Sequence, residues 1–144
     1  MSKIIIGIDP DSKAHGVSIY ESGGLVILKC MTLLELMDFL TNQYEAPWLD
    51  CAEVHIEDVC ANNAIFRTGN NKNVQQSIAR RLGMVQQSQV ELERLFKYLD
   101  VKVVKHKISK MWKKDKKQFE LVTGWKGRSN EDTRSAAYFG YLGL

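Results

Sequence analysis

A short apolar run that stops on an acid is the strongest constraint in this chain. Ile4-Ile5-Ile6-Gly7-Ile8-Asp9-Pro10 is rich in β-branched residues and then breaks at glycine, aspartate and proline. Such a run suits a buried strand; it is too short for a membrane span and lacks the pattern of a signal peptide. Side chains alternate along a strand, so Ile4, Ile6 and Ile8 share one face while Ile5, Gly7 and Asp9 share the other. A carboxylate therefore closes a strand that is otherwise wholly apolar.

The rest of the chain extends this start into an α/β layout. Gly16 to Tyr20 reads as a second strand, Gly23-Gly24 as a hairpin turn and Leu25 to Cys30 as a third strand. Thr32 with Glu35 forms a capping box ahead of a helix through Leu33, Leu36, Met37 and Leu40. Pro47 marks a loop, and Val54 to Glu57 a fourth strand. A polar, asparagine-rich stretch from Ala61 to Asn73 precedes a long helix from Val74 to Tyr98. Gly83 is a weak point in that helix, tolerable where another backbone packs closely. Val101 to Val104 is the fifth strand, and helices over Lys114 to Thr123 and Asn130 to Leu142 end the series. Three strands, then helices alternating with two more strands, imply a mixed sheet.

With 144 residues the expectation is a single domain over 1–144. Cys30, Cys51 and Cys60 form no zinc spacing, and an odd count of scattered thiols suits a reducing cytoplasm. The net charge is only +3, but its distribution is uneven. From Lys102 to Lys117 the lysines are 102, 105, 107, 110, 113, 114, 116 and 117, with Asp115 the sole acid. Such a run neutralises phosphates when it faces a nucleic acid, and is merely a solvated face when it does not.

Three acids stand where structure alone would not ask for them. Asp9 ends the first strand, Glu57 ends the fourth on the face opposite Val54 and Ile56, and Asp132 lies in the first turn of the last helix. If the first and fourth strands are neighbours, Asp9 and Glu57 converge and the last helix lays Asp132 over them. Carboxylates so close repel, and burial raises the cost. A divalent cation resolves the conflict; Mg²⁺ prefers hard oxygens and keeps waters and phosphate as further ligands. Each acid also has a plain role. Asp9 before Pro10 suits a turn, Glu57 beside Asp58 an exposed strand end, and Asp132 a capping box with Ser129.

The stretch Ile5-Ile6-Gly7-Ile8-Asp9-Pro10-Asp11-Ser12, followed by Gly16-Val17, resembles the opening of RuvC-type Holliday junction resolvases. Val54-His55-Ile56-Glu57-Asp58-Val59 is similar to their second motif, Ala79-Arg80-Arg81-Leu82-Gly83 to a helical motif, and Lys116–Gly124 with Asn130–Ala137 to the closing motif. The resemblance runs in order over nearly the whole chain and is nearer to phage-type members. It implies an RNase H-like mixed five-stranded sheet flanked by helices, and a nuclease that cuts branched DNA with Mg²⁺, for which Mn²⁺ substitutes. It also implies that Asp9, Glu57 and Asp132 are catalytic and hold the metals. The family's last helix often carries a second ligand three residues on, where this chain has Ser135. Glu131, water or no fourth ligand at all is left, since adjacent helical residues point about 100° apart. Asp11, in place of the family's glycine, reads as an ordinary turn residue.

Given the acids, Lys105, Lys107, Lys110 and Lys113 are expected on DNA phosphates, with Arg67 and Lys72 from the polar stretch after Glu57. Phe66 suits either a base stack or the core; Trp112 and Trp125 suit the core. His55 shares a strand face with Glu57 and reads as a supporting residue. A four-way junction is a two-fold object, so a homodimer is expected, with the long helix as interface candidate. The rival readings are an RNase H-like nuclease for other branched DNA or RNA hybrids, a junction-binding protein that does not cut, and an actin-like nucleotide-binding domain. The last needs a duplicated domain that 144 residues do not supply.

Overall fold

The computed structural model describes residues 3–43, 46–61 and 71–144. Five strands form one sheet: β1 (Ile4–Asp9), β2 (His15–Glu21), β3 (Gly24–Met31), β4 (Ala52–Glu57) and β5 (Lys102–His106). Their spatial order is β3-β2-β1-β4-β5. The first three pair antiparallel, and β1–β4 and β4–β5 pair parallel. The helices are α1 (Leu33–Asp38), α2 (Ala46–Leu49), α3 (Lys72–Tyr98), α4 (Lys116–Thr123) and α5 (Glu131–Leu142). A π-helical turn, Phe39–Gln43, prolongs α1, and a 3-10 turn, Val59–Ala61, follows β4. This is the mixed α/β sheet expected from the residues.

Each face of the sheet carries its own packing. Ile4, Ile6 and Ile8 join Val17, Ile19, Val54 and Ile56 in the main core, against Leu36 and Leu40 on one side and Leu92, Leu95 and Phe96 of α3 on another. The opposite face receives α5 at very short range. A side chain on Gly7 would lie 2.1 Å from the Ala136 carbonyl oxygen, so only glycine admits the helix there. Hydroxyls then tie sheet to helix: Ser18 donates to the Ala136 carbonyl at 2.8 Å and Tyr20 to that of Ala137 at 2.6 Å. These bonds satisfy buried polar groups that would otherwise be costly.

Several expectations shift. Pro47 stands inside the one-turn helix α2, not in a loop; near a helix start its missing N–H costs nothing. Among the described residues no other element comes within 4 Å of where a side chain on Gly83 would begin, so none of them supplies the expected close backbone contact. The cap of α5 is Asn130 with Thr133, not Ser129 with Asp132. Ser129 instead accepts a hydrogen bond from Arg134. Asp132 is thereby released from capping. Strand β5 runs two residues further than expected, through Lys105 and His106. Trp112 is buried beside Phe119 and Ala137, with Trp125 partly buried against them.

Candidate metal centre at the sheet edge

Parallel pairing of β1 with β4 places Ile8 opposite Ile56, so Asp9 and Glu57 leave the sheet side by side. Gly16 pairs with Asp9 on the other flank. A side chain on Gly16 would meet the Asp132 carbonyl oxygen at 2.2 Å. The first turn of α5 therefore rests directly on the start of β2, which brings Asp132 towards Asp9. Two of the three acids are deeply buried, Asp9 at 4% and Glu57 at 5% exposure. Asp132 is half-buried, whereas Glu131 is exposed.

Electrostatics binds the three into one unit. Burial pushes the Asp9 carboxyl up to about 6; the Lys113 charge and the Ser135 hydroxyl oppose this, and Asp132 adds repulsion. Burial and then Asp9 push Glu57 up to about 7, against Lys113 and a backbone N–H from Ser109. Burial and the charge of Asp11 raise Asp132, with Lys113 opposing and Glu131 adding repulsion. Glu131 thus acts on the site through its charge and is not gathered with the other three.

Lys113, expected on DNA, lies instead among the acids. Its ammonium is 3.5 Å from Asp9 Oδ2, an ion-pair distance. Burial opposes its charge, but Asp9, Glu57 and Asp132 together outweigh burial and hold its pKa above the ordinary value. A clamp fixes its backbone. The Arg134 guanidinium donates to the carbonyls of Trp112 (Nε, 3.1 Å) and Lys113 (Nη2, 2.6 Å). Trp112 sits there at φ 66°, a left-handed conformation that needs such support. No local pattern announced Arg134, because its partners lie about twenty residues away in sequence.

The donor set suits a hard cation. Asp9 Oδ2 and Glu57 Oε2 are buried without a hydrogen-bond partner among the described residues, as is the Ser135 hydroxyl. Orphaned carboxylate oxygens of this kind call for a positive partner, and oxygen-only donors match Mg²⁺. As they stand, however, no three His, Cys, Asp or Glu side chains among the described residues are gathered tightly enough to hold a metal ion. The acids are coupled at charge–charge range, with Lys113 supplying the positive charge.

The remaining expected contacts are dispersed. Lys107 and Lys110 are exposed on the loop after β5, and Lys72 is exposed at the start of α3. Lys105 lies on the other face of the sheet and pairs with Glu93 of α3 at 3.4 Å. Arg67 and Phe66 lie outside the described residues. Asp11 accepts from the Lys13 N–H at 3.0 Å, the plain turn role expected of it. His55 is a strut: it bonds Glu53 and His106, both at 2.7 Å.

No family model matches the chain, and no curated protein matches it. Solved structures do. The structure of T. thermophilus RuvC in complex with Holliday junction substrate superposes with a TM-score of 0.54 at 13% identity, covering 96% of this chain and 90% of that one. A second Thermus thermophilus RuvC structure matches at 14% identity with a TM-score of 0.48, covering 96% and 91%. The fold is therefore a mixed α/β fold of the RNase H-like kind. More narrowly, it is RuvC-like over nearly the whole chain.

Proposed function

We propose that the chain is a divalent-metal-dependent endonuclease that cuts branched DNA of the Holliday-junction type. The observation that carries this reading is the pair of buried carboxylates of Asp9 and Glu57, facing one shared lysine, Lys113, and set beside Asp132 at the edge of a RuvC-like sheet. No core requires that arrangement, and a cation compensates it. The neighbouring structure that was solved with a Holliday junction supports branched DNA as the substrate class.

In this reading Asp9, Glu57 and Asp132 hold the metal, preferably Mg²⁺. Bound there, divalent ions supply an ionised water and a counter-charge for the leaving oxygen. The chain's own groups do the rest. The Ser109 N–H orients Glu57, Arg134 fixes the segment that bears Lys113, and Lys107 and Lys110 draw in the phosphate backbone. With a metal held by those carboxylates, Lys113 would be free to contact a substrate phosphate. The protein works as a homodimer, matching the two-fold junction. It acts inside the cell on host or phage DNA.

The test is cleavage of synthetic four-way junctions, forks, flaps and RNA hybrids with Mg²⁺ or Mn²⁺. Nicks paired across the junction, abolished by Asp9→Asn with binding retained, are expected. Equal cutting of unbranched duplex would exclude junction selectivity. Tight junction binding with no cutting under either metal would favour the non-cleaving rival, for which Ser135, in place of a fourth acid, is the specific feature.

A further inference from the structure

A cavity of about 380 Å³ opens between the first half of α3 and the ends of β4 and β5. Its walls are Val59, Ile78, Leu82, Val85 and Ile108, and its polar groups are Glu57 and Arg81. Ile78, Leu82 and Val85 recur at helical spacing on a part of α3 that buries no residue before Gln89. They belong to neither apolar core. Ile108 remains 46% exposed. An apolar cavity of this kind, open among the described residues beside a charged site, can receive a partly apolar group.

Its position selects the occupant. Glu57 belongs both to this cavity and to the acid cluster, so a group seated here adjoins that cluster. Arg81 stands at the cavity, and Lys107 and Lys110 flank Ile108 along the chain. One guanidinium thus stands in the apolar lining, and two exposed lysines lie on the segment that carries Ile108, which suits a base inside and its phosphates outside. Resting on the nuclease reading above, we propose that the cavity takes one unstacked nucleobase of the strand being cut, next to the scissile phosphate. Aliphatic walls grip the base, and the Arg81 guanidinium meets its edge or its phosphate. Junction DNA suits this because bases at a branch point are cheaper to unstack than bases within a duplex.

The experiment uses the full chain and a junction with mapped cut sites. An abasic residue is walked through the nucleotides around the cut, and 2-aminopurine is placed at the same positions with Ca²⁺ in place of Mg²⁺. For the native chain, one flanking abasic position should slow cutting by about tenfold, the usual scale for a lost base contact. At that position alone 2-aminopurine fluorescence should change on binding. Leu82→Gln and Ile78→Gln should remove both effects. A flat abasic scan, or a fluorescence change that persists in both variants, overturns the pocket and leaves the nuclease reading standing. If light scattering shows that the glutamine variants dissociate a dimer, the groove is a protein contact and the proposal fails. No binding of branched DNA at all overturns both readings.

Discussion

The Lys113 ammonium lies 3.5 Å from Asp9 Oδ2, inside a carboxylate group that the fold otherwise leaves uncompensated. One side chain thus supplies the charge that a divalent ion would supply, and the two compete for the same oxygens. Removing the lysine should therefore favour metal while weakening the metal-free protein. Lys113→Met is expected to bind Mg²⁺ roughly tenfold more tightly by calorimetry, from loss of a half-buried competing charge. Its metal-free melting temperature at pH 7.5 should fall by several degrees. A variant with weakened Mg²⁺ binding would refute the competition.

The buried acids also set a pH dependence. Asp9 and Glu57 titrate near 6 and 7 in the folded protein, above the ordinary carboxylate range. Between the unfolded values near 4 and these folded values, the native state binds more protons than the unfolded state. Stability of the metal-free protein should thus fall as pH rises from about 4.5 to about 7.5, by a few kcal/mol on the order given by such shifts. Mg²⁺ binds the ionised form, so its stabilisation should grow over the same window. Asp9→Asn should flatten the slope in urea titrations. A metal-free profile that rises through this window would contradict the assignment.

Gly16 holds the door for α5. A methyl group there would sit 2.2 Å from the Asp132 carbonyl oxygen, which is backbone and cannot swing aside. Gly16→Ala should cost about 1–3 kcal/mol, the usual scale of overpacking, and should shift Asp132 away from Asp9. Chemical denaturation reads the first effect. A weaker Mg²⁺-induced rise in melting temperature reads the second.

Ser135 is fully buried, and its hydroxyl is close enough to Asp9 to lower its pKa. Ser135→Asp adds a fourth acid in the same pocket. Without metal it should destabilise the protein strongly, because another buried charge joins like charges. With Mg²⁺ the gain in melting temperature should exceed that of the native chain. Equal metal-induced shifts in both proteins would show that position 135 does not face the ion.

Arg134 ties together the Trp112–Lys113 carbonyls and the Ser129 hydroxyl. Arg134→Lys keeps the charge and loses the fork geometry. Loss of about 1–3 kcal/mol is expected from carbonyls left unsatisfied. Near-ultraviolet dichroism should report the altered setting of Trp112.

Local patterns carried most of the architecture. The alternation from Ile4 to Asp9 correctly assigned both faces of β1, since a period of two leaves no other choice once one face is apolar. Thr32 with Glu35 marked the start of α1, and the box is present in the structure. The misses were long-range. Nothing near Lys105 disclosed that β5 continues through it and turns it towards Glu93. Ser129-x-x-Asp132 matched a capping pattern as well as Asn130-x-x-Thr133 does, and only packing selects between frames one residue apart. His106, one of three scattered histidines in the chain, proved to be stacked on both His55 and Phe139.

The amino-acid order alone determined the five strands, the four longer helices, their sequence and the side of the sheet on which Asp9 and Glu57 emerge. Those properties follow from backbone periodicity, which is readable over a few residues. Tertiary structure decided which charges meet. The approach of α5 over Gly7 and Gly16, and the Arg134 clamp on the segment before α4, bring Asp132 and Lys113 to Asp9 across more than a hundred residues. Electrostatic coupling depends on distance in space, and distances of that kind are set only when the helices have packed.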